Sequence, residues 1–328
     1  MVTGGAGFVG FYLSKHLANQ GIDVTIIDNL SRGKQDKEFL KLISTPNVHF
    51  IPMDLTDTEQ LRKLEGTYDE IYHLAAINGT KHFYEKPQEV LKVNILALIN
   101  MLEWANSSNC GKFVFTSSSE AYAGTISSFP DPDRFIPTNE EIPLTIDDVF
   151  NPRYSYGGSK LVGELLTVNY CRTKNIPFSI IRYHNIYAGR MGFEHVIPQF
   201  CERIYNKENP FIIYGGTETR AFCYVDDATR ATQSVMENQN CNGEIINIGN
   251  STEEVTIIDL AKKLLEINSL EVEIRVEDAP PGSVQRRCPS TKKLNNLTGY
   301  EPRVSLDEGL QSINSWYMED FSRRESNE

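Results

Sequence analysis

The chain has 328 residues, 40% hydrophobic and 23% charged, with a formal net charge of −12. That size suits one large α/β unit with a smaller lobe, and the composition is that of an ordinary globular protein. The acidic balance argues against nucleic acid as a partner, no run of about 18 apolar residues offers a membrane span, and no signal peptide precedes Thr3, so a cytoplasmic location is expected.

The first motif is Thr3-Gly4-Gly5-Ala6-Gly7-Phe8-Val9-Gly10, whose glycines fit G-x-G-x-x-G at 5, 7 and 10 and G-x-x-G-x-x-G at 4, 7 and 10. Glycine permits a tight strand-to-helix turn and a close backbone approach to pyrophosphate, and the helix N-terminus then offers free N–H groups. Only Met1 and Val2 stand ahead of Thr3, so the first strand is expected to be short. A helix over 8–20 with Leu13 and Leu17 on one face leads to a buried strand, Val24-Thr25-Ile26-Ile27, closed by Asp28. An acidic residue about 20 positions past the glycines is placed to accept hydrogen bonds from an adenosine ribose, and it would repel a 2′-phosphate. NAD is therefore expected over NADP.

Asn29, Leu30, Ser31, Arg32 and Gly33 form a polar turn where the adenosine end would lie. A third strand, Val48 to Ile51, ends near Asp54 and Leu55, so Asp54 is open to two readings, adenine contact or helix capping, with a helix expected from Thr56 to Leu64. A fourth strand (71–76) runs into the small Ala75 and Ala76, with Leu74 beside them, and His73 in it is read as structural. A loop is expected over 77–87, then a long helix over 88–106 bearing Val90, Val93, Leu96, Ala97, Met101 and Trp104 at helical spacing.

The fifth strand begins at Phe113 and ends in Thr116-Ser117-Ser118-Ser119-Glu120, and a long loop is expected over 124–153. Tyr156 opens a helix running to about Lys174, and Tyr156 and Lys160 share one of its faces. A lysine ammonium and a cationic nicotinamide both favour phenolate, which would let Tyr156 act as a general base. A sixth strand follows at 178–182. Residues 186–220 break the alternation with a helix near 195–207, and helix and strand return over 225–248. A helix at 256–267, a strand at 271–276, an arginine-bearing loop at 282–290 and a helix at 305–317 complete the chain. The six dispersed cysteines lack any C-x-x-C pair and are read as buried free thiols, and the histidines lack metal-ligand spacing, so no metal is expected.

Taken together, these segments resemble the extended short-chain dehydrogenase/reductase family, in particular its NAD-dependent nucleotide-sugar epimerases, dehydratases and decarboxylases. The resemblance runs from Thr3 nearly to Leu310 and is carried by residues 3–10, 28–33, 73–76 and the motif Tyr156-Gly157-Gly158-Ser159-Lys160. It implies a Rossmann-type doubly wound parallel sheet with a smaller C-terminal substrate lobe. The NAD-binding unit would span 1–185 with 221–250 returning to it, the nucleotide-sugar lobe 186–220 and 251–320, and residues 321–328 a disordered tail. NAD would lie against Gly4, Gly7, Phe8, Val9 and Gly10, then Asp28, Asn29, Ser31 and Arg32, with Asp54, Leu55, Leu74, Ala75 and Ala76 beyond. Asn94, Tyr156, Lys160 and Tyr183 would complete the cofactor contacts.

In the same resemblance Ser118 binds the sugar 4-hydroxyl, Tyr156 takes its proton, and Lys160 holds the ribose and tunes Tyr156. Ser119 and Asn185 would contact the substrate, and Arg220 would grip the diphosphate in the two-pronged way that suits guanidinium. Arg287 is a second phosphate-side arginine, unless a one-residue slip gives that role to Arg286. Dehydratases of the family carry an Asp-Glu pair where this chain has Ser119 and Glu120, so dehydration is disfavoured. Decarboxylases carry Ser-Glu, which matches, so Glu120 is either catalytic or locally paired. Ala123 and the run Tyr187-Ala188-Gly189-Arg190 depart from the usual pattern near the sugar. The expected activity is C4 oxidation of a nucleotide-diphosphate sugar with hydride return, a 4-epimerase. Its rivals are a C4 dehydrogenase, a uronate decarboxylase and a non-catalytic NAD-binding regulator. A homodimer through a four-helix bundle of the helices at 88–106 and 156–174 is also implied.

Overall fold

In a computed structural model, which describes residues 1–129, 131–279 and 284–326, seven strands form one parallel sheet. They are β1 (Val2–Thr3), β2 (Val24–Asp28), β3 (Val48–Pro52), β4 (Glu70–His73), β5 (Lys112–Ser118), β6 (Phe178–Tyr183) and the strand Ile245–Ile248. Their spatial order is β3-β2-β1-β4-β5-β6 and then Ile245–Ile248, so the winding reverses between β1 and β4. This is the doubly wound order, and its crevice lies beyond the strand carboxyl ends at the reversal. β1 has only two residues, yet Val2 pairs with Ile26 and Tyr72, and Thr3 with Ile27 and His73. Ile26, Ile27, Phe113 and Val114 are fully buried, because helices cover both faces of a parallel sheet and leave no polar side.

One apolar cluster joins the helix Phe8–Asn19 and the helix Val225–Glu237 to one face, through Leu13, Leu17, Ile26, Val235 and Ile246. The opposite face buries Ile27, Leu98, Met101, Phe113 and Cys171 beneath the helices Pro87–Ser107 and Tyr154–Lys174. A third cluster, with Phe200, Phe211, Leu260, Leu264, Leu310 and Tyr317, lies beyond the sheet. It is built by the helices Val196–Tyr205, Ile257–Ile267 and Leu306–Glu325. The six cysteines are buried and unpaired. Among the described residues no helix is long and apolar enough to cross a membrane.

Several local expectations are corrected. The helix expected over 56–64 is only Thr58–Leu61, capped by Asp57, which accepts from the Glu59 and Gln60 amides. The loop expected over 77–87 contains a helix, Thr80–Glu85. The long loop after β5 starts helically, with a 3₁₀ turn Ser119–Tyr122 and a helix Ala123–Ser128. The late strand is Ile274–Glu277, and the arginine loop contains a two-residue strand, Arg286–Arg287, while residues 282 and 283 lie outside the described residues. The last helix continues to Glu325, where a disordered tail was expected from 321; residues 327 and 328 of that tail lie outside the described residues. Its extension is held by aromatic packing, since Phe321 meets Phe193, Tyr205 and Tyr317. A capping box of Ser305 and Glu308 starts it.

Candidate active site

A cavity of about 1240 Å³ follows the carboxyl ends of the strands across the reversal point. One end lies against the glycine turn. Gly4 has φ 71°, and a Cβ there would come within 2.8 Å of the Ala75 backbone, while a Cβ at Gly10 would overlap the Gly4 carbonyl oxygen. Only glycine closes the turn this tightly. The helix Phe8–Asn19 that follows has Gly7 as its N-cap, no side-chain cap and no acidic residue in its first turn. Its first residues line the cavity and its own first turn carries no acidic side chain, which fits a pyrophosphate.

Asp28 lines the same end. One carboxylate oxygen accepts from the Ala6 amide at 3.0 Å and the other from the Leu30 amide at 2.8 Å, so Asp28 also ties the strand end to the glycine turn. Burial raises its pKa against these backbone donors. A carboxylate has about four acceptor positions, which leaves capacity for ribose hydroxyls. Of the two roles expected of Asp54, helix capping falls to Asp57, which caps the helix Thr58–Leu61. Asp54 lines the cavity and also accepts from the Thr56 amide and hydroxyl at 2.8 and 2.7 Å and from the Asn29 amide group at 3.2 Å. Phe8, Val9, Ser31, Leu55, Leu74, Ala75, Ala76 and Tyr183 complete this wall.

Asn94 is the exception among the expected cofactor residues. It is buried behind the wall, exchanging hydrogen bonds with the Ile77 backbone at 2.7 and 3.2 Å and donating to the Ser159 hydroxyl at 3.0 Å. It props the loop after β4 against the Tyr156 helix and does not line the cavity.

At the other end, Ser118 closes β5, while Tyr156 and Lys160 project from the helix Tyr154–Lys174. That helix packs close to the sheet because Gly163 leaves room for the Phe115 ring, which a Cβ would overlap. Ser118 and Tyr156 both line this end of the cavity, and the Phe83 ring stacks on Tyr156 at 4.9 Å. Lys160 donates to the Thr116 carbonyl oxygen at 2.7 Å and lies 5.6 Å from the Tyr156 ring centre.

The electrostatics differ from the expected lysine-tuned phenolate. Burial pushes the Tyr156 phenol up to about 12, while the Ser118 hydroxyl and the Arg32 cation act to pull it down. Burial brings Lys160 down to about 7, with Glu164 acting in the opposite direction. In this state the lysine is committed to a backbone carbonyl, and the phenol keeps its proton.

Glu120 is the second residue of the helical turn after Ser118 and is gripped by two arginines. It accepts from Arg153 at 2.9 and 3.2 Å and from Arg287 at 2.8 Å. Although burial opposes the charge, Arg287 and Arg153 hold the carboxyl at about 2. Arg287 lies in register with Arg220 on the neighbouring strand Thr219–Ala221, and both line the cavity. Burial, with Arg287 close by, lowers Arg220 to about 10. Arg286 is bound to Glu254 at 2.7 and 2.9 Å and does not line the cavity, so of the two candidate positions Arg287 faces it. Ser119 is buried at the wall, and Asn185, with φ 42°, donates to the Ala221 carbonyl oxygen at 3.0 Å, tying β6 to the arginine-bearing strand.

Sequence reasoning gave no role to several lining residues, among them Arg153, Arg190 and Glu194. Arg153 stands three residues ahead of Tyr156, a helical spacing that carried a signal. Arg190 ion-pairs with Asp36, donates to the Ala6 carbonyl oxygen at 3.3 Å and lies 4.0 Å from the Phe11 ring centre. Glu194, from the segment ahead of the helix Val196–Tyr205, had no signal at all.

Comparison with known proteins agrees with this geometry. The sequence model of the NAD dependent epimerase/dehydratase family matches residues 1–249. The chain is 33% identical to a UDP-N-acetyl-alpha-D-glucosaminuronate decarboxylase of Bacillus cytotoxicus, covering 97% of each chain. It is 31% identical to a putative UDP-glucose 4-epimerase of Methanocaldococcus jannaschii, covering 96% of this chain and 97% of the other. Among solved structures, the UDP-glucose 4-epimerase of Thermotoga maritima with UDP-glucose superposes with a TM-score of 0.82, at 29% identity and 98% coverage of both.

Proposed function

Because this chain belongs to the NAD-dependent epimerase/dehydratase family, we propose that it oxidises C4 of a nucleotide-diphosphate sugar and returns the hydride to the opposite face, a net 4-epimerisation. Bound NAD would supply the hydride acceptor and, once reduced, the hydride donor. Ser118 holds the 4-hydroxyl and passes its proton to Tyr156 in its phenolate form as the C4–H bond breaks and the C4–O bond becomes a carbonyl. On return, Tyr156 gives the proton back to the oxygen. Lys160 holds the ribose and, when charged, favours the phenolate. Arg220 and Arg287 hold the diphosphate, whose oxygens suit two guanidinium forks.

The observation that carries this reading is that Ser118, Tyr156 and Lys160 line one cavity with Asp28, beside a Glu120 kept charged by two arginines. A carboxylate without a proton cannot protonate a leaving hydroxyl, which counts against dehydration. One alternative keeps specific support. A sugar bearing a carboxylate on C5 becomes a β-keto acid on C4 oxidation and can lose carbon dioxide. The Ser119-Glu120 pair and the decarboxylase relative favour that course.

Product analysis on UDP-glucose and UDP-glucuronate separates the outcomes. Unchanged mass with altered sugar retention supports epimerisation, and loss of carbon dioxide supports decarboxylation. Substrate recovered unchanged from NAD-loaded protein would refute both. A homodimer through the helices Pro87–Ser107 and Tyr154–Lys174 belongs to the same proposal, supported by Leu91 and Leu165, which are exposed on them.

A further inference from the structure

The turn after β2 was expected at the adenosine end of the cofactor, yet the Arg32 side chain reaches across the cleft. Its guanidinium donates to the Asn78 carbonyl oxygen in the segment between β4 and the helix Thr80–Glu85. It also pairs with Glu194 at 3.8 Å, on the segment that opens the helix Val196–Tyr205. Gly79, with φ 111°, makes room for this meeting. A Cβ there would stand 3.3 Å from the Arg32 guanidinium and 3.7 Å from the Glu194 carboxyl group.

Arg32, Gly79 and Glu194 all line the cavity that contains Asp28 at one end and Tyr156 at the other. The bridge thus links three separate stretches of chain across one cleft. One oxygen of Glu194, Oε2, is buried without a hydrogen-bond partner. Such an orphaned acceptor costs free energy unless a donor reaches it, and the hydroxyls of a bound dinucleotide are donors of the right kind.

We propose that Arg32 and Glu194 form a clasp that retains the dinucleotide, with Glu194 a positioning residue for bound NAD. The proposal rests on the reading of this cleft as the NAD site. A ligand held between the Asp28 and Tyr156 ends leaves only when the ion pair opens. The pair therefore acts on the dissociation rate, where most affinity differences lie.

The test loads the full chain with NADH and follows loss of its fluorescence after a chase with excess NAD⁺. Glu194→Gln and Arg32→Ala should each speed release by about threefold or more, the upper range for a partly exposed ion pair. The charge-exchanged pair, Arg32→Glu with Glu194→Arg, should recover slow release, which a merely structural role would not predict. Unloaded Glu194→Gln should melt with the unloaded wild type. If it melts far lower, Arg32→Gln takes its place with the same expected acceleration. Fast release from Arg32→Ala with wild-type release from Glu194→Gln would overturn the clasp and leave Arg32 as a direct phosphate contact. Failure of the exchanged pair to recover slow release would overturn it too. Failure of the wild type to take up NADH would overturn the reading of the cleft itself, and the clasp with it.

Discussion

Replacing Glu120 by glutamine keeps its shape and removes the charge that Arg153 and Arg287 share. The carboxyl stands at about 2 against an ordinary 4.5, a difference of about 2.5 units, and at about 1.36 kcal/mol per unit this amounts to about 3 kcal/mol in favour of the charged form. The side chain is only 15% exposed, so solvent screening removes little of it. Two charge-assisted contacts at about 1.5–3 kcal/mol each give a similar scale. A carboxyl whose pKa is depressed by folding contributes stability above its unfolded value and loses it as pH falls through the folded value. The wild type should therefore exceed Glu120→Gln by up to about 3 kcal/mol at neutral pH, and by progressively less between pH 4.5 and 2. Urea unfolding across that range measures the gap. A gap below about 0.5 kcal/mol at neutral pH, the scatter of ordinary surface changes, would refute the ion-pair argument, as would a gap unchanged in acid. Steady-state rates add a second reading. With no proton to give, Glu120 should affect KM for the nucleotide sugar more than kcat, whereas a collapse of kcat on a uronate would place it at the reacting atoms.

Further outcomes follow from the same geometry. Tyr156→Phe should keep NAD bound while turnover falls about a hundredfold or more, the typical loss with a general base; near-normal turnover would remove Tyr156 from the mechanism. Gly10→Ala should abolish NAD binding, measured by calorimetry, because its Cβ would overlap the Gly4 carbonyl oxygen. Arg287→Ala should raise KM for the nucleotide sugar, while Arg286→Ala, which breaks the Glu254 pair, should leave KM near the wild-type value. Leu165→Glu should convert a dimer to a monomer in sedimentation, and an unchanged dimer would displace the interface from that helix.

What was legible in the sequence is what local chemistry dictates. The glycine turn, the Asp28 strand end and the Tyr156/Lys160 face follow from backbone freedom and helical spacing, and the structure brings them to one cleft. The parallel sheet was legible from apolar runs alternating with helical periodicity. Contacts across long separations were not. Glu120 and Arg287 are 167 positions apart and meet only because the strand Arg286–Arg287 runs beside Thr219–Ala221. Arg32 was read by its place in the turn, but a long side chain can cross a cleft, and nothing near Glu194 announced its partner. Asn94 shows the opposite error. A buried polar group on a helix beside the site serves the backbone of Ile77. The polar end of the chain looked unstructured because its charges mask Tyr317 and Phe321, four residues apart and both buried.

The central claim is reversible hydride removal from C4, and a nucleotide sugar carrying deuterium at C4 tests it most directly. NAD-loaded protein incubated with this substrate should give a product with deuterium still on C4, because the hydride leaves and returns within one closed site. Product whose C4 deuterium has exchanged with solvent, or has been replaced by hydrogen, would contradict the account.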